Sequence, residues 1–352
     1  MSIKTLCPRA DHSNKFRGVL PEIIFILTAM AFAWYFAHIR LSRPEWEPVA
    51  FEKLIAGTAA LPMQYRTLIP WISRLLVELP IPFVEHPRGL RLGFEVLSLF
   101  ALAVIYRAFL GQFLKEKYAP HLCSLLLFLV LPYNLALPTF APWYYVYDTP
   151  SVLFFSAGLL FLYRRQWILF YLIFTIGTFN RETTCFLTTI CLLTGFGRGN
   201  LRVLLSHCLA QFAIWMIIKC GLAWSYGTVQ GSIYCNMLNT NLHSLASLQK
   251  WLILLSSFGY TWVPLIFLWH WIDDIFVRRA CLVVPFFILA MLNAGVLQEI
   301  RIFGELVPLV LAAYICILRH LFVCHEDDIP RESNNTLNRT SGSRVARLPE
   351  SG

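Results

Sequence analysis

The chain has 352 residues, of which 57% are hydrophobic and 14% are charged, and its formal net charge is +9. Soluble globular proteins carry roughly a quarter of their residues as charged ones, so this composition excludes an ordinary soluble domain. The basic residues are spread between apolar segments instead of forming one basic face, which excludes a nucleic-acid-binding protein. The sequence therefore predicts an all-α fold, a polytopic transmembrane helical bundle.

Ten apolar segments are candidates for bilayer crossings, although several are short. They cover residues 19–39, 90–110, 119–137, 149–163, 167–179, 184–196, 203–224, 251–269, 280–297 and 302–318. The first segment is too long and too aromatic for a removed signal peptide, so we predict an uncleaved anchor. We predict a cytoplasmic N-terminus over 1–18, a transmembrane domain over 19–320 and a disordered cytoplasmic tail over 321–352.

The distribution of Lys and Arg agrees with this topology. With the N-terminus inside, 18 of the 29 Lys and Arg residues fall in predicted cytoplasmic segments, as the positive-inside rule requires. Both termini are then cytoplasmic. The membrane we expect is a bacterial inner membrane, with the endoplasmic reticulum as the alternative.

The first outside loop, 40–89, is too long for a simple link. Its residues 67–78 place apolar side chains at helical spacing around Arg74 and Glu78, which predicts an interfacial helix. An eleventh crossing at 67–80 is the alternative, and it would reverse the side of every later loop.

The most informative stretch is Asn180-Arg181-Glu182-Thr183, a charged break between the fifth and sixth segments. Sixteen residues separate Arg165 from Arg181, and as helix they span about 24 Å against about 30 Å of hydrocarbon. Arg181 and Glu182 are therefore predicted to lie below the outer surface, at the tip of a helical hairpin. Ionisable residues at this depth indicate a functional site, whereas helix capping with mutual neutralisation is the alternative.

Further charged residues fall on the same predicted side. Asp148 begins a helix and is recessed in the same way, with helix capping as the alternative. Arg301 is spaced for an ion pair with Glu305, and Glu299 precedes both. This convergence predicts one cleft open to the non-cytoplasmic face.

Two segments of the first outside loop would join that cleft. They are Glu45-Trp46-Glu47 and Arg66, and a solvated loop is the alternative for both. The carboxylates suit proton transfer and the arginines suit an anionic group. Neither CxxC nor HExxH occurs, so a zinc site is not predicted.

Three motifs carry a resemblance to a known family. Tyr65-Arg66-x-Leu68-x-Pro70, Asp148-x-Pro150 and Asn180-Arg181-Glu182-Thr183 resemble elements of a group of membrane proteins whose layout is similar to the GT-C glycosyltransferases. The resemblance covers the segment layout over roughly 19–320, and its motifs are short. It implies transfer of a sugar from a polyprenyl-phosphate carrier on the outer face. GT-C enzymes usually place an acidic pair, often with aspartate, in the first outside loop, where this chain has Glu45-Trp46-Glu47.

The resemblance also implies roles for individual residues. The general base would be Glu47 or Glu45, with Asp148 as a further catalytic candidate; Arg181, Arg301 and Arg66 would hold the phosphate; Asn180, Glu182, Glu299 and Glu305 would support them. A divalent cation is compatible with these residues but is not required. Two other functions fit the same cleft: a carrier or flippase for a lipid-linked or anionic solute, and a non-catalytic membrane scaffold.

Overall fold

The computed structural model of the chain describes residues 11–78, 87–137, 142–227 and 237–327. Its α-helices in these ranges are α1 Asp11–Leu41, α2 Phe51–Ala56, α3 Leu68–Val77, α4 Pro87–Leu110, α5 Ala119–Leu125, α6 Leu127–Leu135, α7 Asp148–Tyr163, α8 Trp167–Asn180, α9 Phe186–Gly195, α10 Leu201–Tyr226, α11 Leu238–Leu245, α12 Leu248–Leu255, α13 Val263–Phe267, α14 Ile275–Ala280, α15 Val283–Ala294 and α16 Val307–Asp327. An isolated bridge joins Glu45 and Tyr144, and no strand is assigned in these ranges. The described chain is all-α.

Five helical segments are long and apolar enough to cross a membrane. They are Val19–Leu41, Pro87–Leu110, Leu201–Tyr226, Ile275–Ala294 and Ile300–Phe322. These segments make the chain a helical membrane protein. Several other predicted crossings form shorter apolar helices, such as the 16 residues of α7 and the 14 residues of α8.

The interior of the bundle is built around α7 and α16. In the most apolar window of Ile300–Phe322, 94% of the residues are buried. α7 packs against α4, α8 and α9, and α4 also packs against α1 and α5. In contrast, α10 lies at the periphery, and just 6% of its most apolar window is buried.

The predicted hairpin forms at the charged break. α8 ends at Asn180, Arg181 is extended with φ −158° and ψ 142°, and a 3₁₀ turn over Glu182–Cys185 leads into α9. Trp167 at the start of α8 and Gly195 at the end of α9 line the same groove of about 690 Å³. The chain therefore reverses direction at Arg181, which rules out a single long helix.

The segment that raised the question of an eleventh crossing forms the short helix α3. Its 10 residues span about 15 Å, half of the hydrocarbon thickness. Arg74 donates a hydrogen bond to the carbonyl of Ile55 in α2, and α3 packs against α2 and α8. The described part of this segment is thus a short helix packed against the bundle, and residues 79–86 lie outside the described ranges.

Loops that were predicted to be cytoplasmic meet at one end of the bundle, which we call the basic end. Arg319 forms an ion pair with Glu116 at 3.1 Å. The Tyr163 hydroxyl, at the end of α7, donates to Asp274 at 2.9 Å. Tyr163 is the last residue of α7, so the first residue, Asp148, lies at the opposite end of the bundle.

The predicted crossing 251–269 is broken. It consists of α12 and α13 with a turn between them, in which Phe258 and Gly259 have φ of 59° and 57°. The side chain of Asn134 fixes this turn, since its Oδ1 accepts from the Phe258 amide at 2.9 Å. Its Nδ2 donates to the Ile300 carbonyl at 2.7 Å. The break therefore depends on a residue of α6, far away in sequence.

Replacing Asn134 with leucine is expected to lower the free energy of unfolding by about 2–6 kcal/mol. The substitution leaves two buried backbone groups, the Phe258 amide and the Ile300 carbonyl, without these partners, and each such group costs about 1–3 kcal/mol. Thermal unfolding in detergent micelles measures the effect. A matched control is Leu129→Ala, because Leu129 is exposed on the same helix. Equal midpoints for Asn134→Leu and wild type would contradict the bridging role.

The C-terminal boundary differs from the prediction. α16 continues to Asp327, past the expected start of the disordered tail at residue 321. The rest of that predicted tail, 328–352, lies outside the described residues. So do residues 1–10 of the predicted cytoplasmic N-terminus.

Candidate functional site

Asp148 lies at the centre of a buried cluster of charges. Its carboxylate oxygens are 3.7 Å from Arg40, 3.5 Å from Arg181 and 3.4 Å from Arg301. The Asp148 side chain is 1% exposed. Three guanidinium groups from three remote segments therefore share one carboxylate, and buried charges are tolerated when they are paired in this way.

Two more carboxylates complete this cluster. Glu305 is 3.2 Å from Nε of Arg181 and accepts a hydrogen bond from Thr183 at 2.6 Å. Glu95 is 3.4 Å from Arg40. We call the set of Arg40, Glu95, Asp148, Arg181, Arg301 and Glu305 the arginine–carboxylate network.

The broken helix at the hairpin tip positions Arg181. The extended conformation of Arg181 directs its side chain toward Asp148 and Glu305, across the start of α7. Asn180 fixes the tip to the same helix start, because its Nδ2 donates to the Tyr147 carbonyl at 3.0 Å and to Ser151 Oγ at 2.7 Å. Asn180 thus links the hairpin tip to the start of α7.

Sequence reasoning missed two members of the network. Arg40 ends α1 and is 1% exposed, and Nη2 donates to the Tyr145 carbonyl at 3.0 Å. Glu95 lies inside α4, where Thr149 donates to it at 2.9 Å. A single carboxylate within an apolar segment was the available signal for Glu95. Arg40 had none, because an arginine at the end of a crossing is ordinary.

The three arginines predicted to bind phosphate line one cavity. Arg66, Arg181 and Arg301 surround a space of about 170 Å³, together with Glu182 and Glu299. The remaining wall is largely apolar and includes Trp46, Pro62, Met63, Met237, Met291, Val296 and Ile302. The cavity thus offers charged donors beside a hydrophobic surface, which suits an amphiphilic anion.

Two of the cavity arginines, Arg66 and Arg301, each contact a carboxylate and an aromatic ring. Arg66 binds both oxygens of Glu182, at 2.6 and 3.3 Å, and its guanidinium lies 4.4 Å from the Tyr147 ring centroid. Arg301 is 2.6 Å from Glu299, and its guanidinium lies 3.7 Å from the Tyr145 ring centroid. Cation–π contacts of this kind fix the orientation of a guanidinium group.

The ion pair with Arg66 stabilises the negative charge of Glu182. Burial alone raises the pKa of Glu182, but the adjacent Arg66 guanidinium outweighs this effect and holds the pKa below its usual range. Glu182 is therefore a carboxylate at neutral pH.

Glu45 and Glu47 lie outside the cavity lining, although Trp46 between them belongs to it. Glu45 is 2.5 Å from Arg91 and accepts from the Phe51 amide at 3.3 Å. The Glu47 side chain is 79% exposed and pairs with Lys53. Glu45 is thus held by the protein, whereas Glu47 is open to solvent.

Basic and acidic side chains at the site are equal in number. The basic ones are Arg40, Arg66, Arg181, Arg301 and Lys219, and the acidic ones are Glu95, Asp148, Glu182, Glu299 and Glu305. An anion that enters the cavity must therefore change the existing pairing. Within the described ranges no group of three or more His, Cys, Asp or Glu residues is placed to hold a metal ion.

Comparison of the chain with family models, curated proteins and solved structures gave no match. The fold and the site therefore define its class by themselves. It is an all-helical membrane protein with a buried arginine–carboxylate network beside a small amphiphilic cavity.

Proposed function

We propose that the protein is an integral membrane glycosyltransferase with a GT-C-like fold. It would move a sugar from a lipid-phosphate carrier, such as a polyprenyl phosphate, to an acceptor on the non-cytoplasmic face. The observation that carries this proposal is the presence of Arg66, Arg181 and Arg301 in one cavity. Their forked donors match the geometry of a phosphate group.

The proposed sidedness follows from the two ends of the bundle. The positive-inside rule makes the basic end cytoplasmic, in a bacterial inner membrane or the endoplasmic reticulum. The cavity lies at the Asp148 end of α7. On this topology it opens to the non-cytoplasmic side. The proposal counts about ten crossings, including short ones such as α7 and α8.

Glu47 is the proposed general base. Its carboxylate accepts the proton of the acceptor hydroxyl, whose oxygen forms the new bond to the anomeric carbon with inversion. The bond between that carbon and the phosphate oxygen breaks, and the leaving phosphate keeps the electron pair. Arg66, Arg181 and Arg301 stabilise its charge.

Glu47 is more exposed to solvent than Glu45 and Asp148, which favours it as the general base. Glu45 is engaged by Arg91 and by a backbone amide. Asp148 is buried and its carboxylate oxygens are already engaged by three guanidinium groups. Asp148 is therefore proposed to hold the arginines in place.

Replacing Glu47 with glutamine is expected to reduce sugar transfer by about 10²–10⁴-fold, the usual contribution of a general base. Phosphate binding should stay unchanged, because Glu47 does not line the cavity. Transfer is measured in detergent with a defined polyprenyl-phosphate sugar. Glu52→Gln is the matched control, since Glu52 is exposed on the neighbouring helix α2. Full activity in the Glu47 variant, with loss in Glu45→Gln, would reassign the base.

A carrier for a lipid-linked or anionic solute is the second candidate. The observation in its favour is that the hairpin of α8 and α9 borders a cavity at each end of the bundle: Arg181 lines the small one, and Thr194 lines the groove at the basic end. The same assay separates the two functions. A carrier leaves the sugar on its lipid in detergent, whereas a transferase releases the lipid phosphate.

A further inference from the structure

Lys219 is a charged residue that the proposed mechanism does not use. It lies on α10, and its ammonium nitrogen is buried without a hydrogen-bond partner among the described residues. The helix that carries it packs against the 3₁₀ turn Glu182–Cys185. A buried ammonium without a hydrogen bond costs free energy, so its retention needs a reason.

Glu182 has two possible cationic partners, Arg66 and Lys219, and its side chain is partly exposed. It now binds Arg66, with the shorter contact at 2.6 Å. Its side chain is 37% exposed, compared with 1% for Asp148 and 2% for Glu305. The carboxylates inside the network are enclosed, whereas the Glu182 side chain is partly accessible.

Arg66 does not depend on Glu182 for its orientation. Its guanidinium lies over the Tyr147 ring, and the side chain is 7% exposed. If the carboxylate left, the two donors that now bind it would face the cavity from the same position. They would then be available to a phosphate group.

The backbone of Glu182 is fixed from the side of α10. Trp215 Nε1 donates to the Glu182 carbonyl at 2.9 Å. Trp215 and Lys219 are four residues apart and lie on one helix face. One face of α10 therefore holds the Glu182 main chain and places a cation near its side chain.

We propose that Glu182 is an exchangeable carboxylate, which passes from Arg66 to Lys219 when the phosphate group of a ligand takes its place on Arg66. Lys219 is then a positioning residue for the anion site. The exchange leaves no buried charge unpaired, because the phosphate pairs with Arg66 and the carboxylate with Lys219. This inference rests on the proposed function in taking the anion to be a phosphate.

Binding of inorganic phosphate to the full chain in lipid nanodiscs, measured by calorimetry, tests the exchange. Glu182→Gln removes the competing charge, so phosphate should bind about tenfold more tightly. Lys219→Met should weaken binding several-fold, because the displaced carboxylate loses its second partner. In the Glu182→Gln background the same Lys219→Met change should have no effect.

Four further measurements complete the design. Lys219→Arg should restore wild-type binding, and Glu52→Gln should not change it. Thermal unfolding verifies that each variant is folded. A short prenyl phosphate in place of inorganic phosphate identifies the source of the anion, since tighter binding assigns the site to a lipid phosphate and equal binding to the free ion.

Several results would overturn the exchange. Weaker binding in Glu182→Gln is one, and an equal effect of Lys219→Met in both backgrounds is another, since Lys219 would then act without Glu182. Absence of phosphate binding in wild type and in Glu182→Gln would be a third. Phosphate binding does not require sugar transfer. A failed transfer assay would therefore not contradict the exchange, and a failed test of the exchange would not contradict sugar transfer.

Discussion

Replacing Asp148 with alanine is expected to lower the free energy of unfolding by about 3–5 kcal/mol, the usual cost of removing one partner from a buried ion pair. Arg40, Arg181 and Arg301 each lie within 3.7 Å of this carboxylate. After the substitution, three positive charges remain together in the interior, with two carboxylates between them. The expected result is a lower midpoint of thermal unfolding.

A thiol-reactive dye provides the measurement, because Cys281 and Cys316 are free and buried and become reactive on unfolding. The control is Asp273→Ala at the basic end, where the carboxylate is 53% exposed and pairs with His320. Exposed pairs contribute about 0–1 kcal/mol, so this control should unfold close to wild type. Equal midpoints for both variants would show that the network does not stabilise the fold.

Replacing Arg181 with lysine is expected to reduce sugar transfer by about 10²-fold, because one donor group is lost from the stabilisation of the leaving phosphate. The arginine contacts Asp148 and Glu305 with different nitrogens and still lines the cavity. An ammonium group is a point charge and cannot make these contacts together. The positive charge remains, so the protein should stay folded and inserted.

Transfer with the lipid-phosphate donor and phosphate binding are measured in the same preparation. Arg165→Lys is the control, since Arg165 is exposed at the basic end. Both transfer and binding should fall in Arg181→Lys and remain unchanged in the control. Normal transfer in Arg181→Lys would remove this residue from the proposed mechanism.

Local patterns predicted the features that depend on nearby residues. The hairpin could be predicted because charged residues interrupt an apolar run at a distance too short for a full crossing. The depth of Asp148 below the outer surface stays a prediction from the same argument. Residue types and helix lengths were sufficient in these cases.

Features set by contacts between remote segments could not be predicted. The broken crossing at 251–269 reads as one apolar run, and its turn depends on hydrogen bonds from Asn134. The ion pair between Arg40 and Glu95 joins α1 to α4. Nothing in the sequence around either residue indicates the other as its partner. The same holds for Lys219, whose importance appears once α10 is placed beside the hairpin.

The peripheral position of α10 has a consequence for experiments. Of its 26 residues, Gln211 and Leu222 are buried within the protein, so in a bilayer we expect lipid chains to surround most of α10. We also expect those chains to help hold the helix against the hairpin. Delipidation is therefore expected to loosen the anion site before it unfolds the bundle, and affinities measured in micelles and in bilayers should differ most for residues that α10 touches.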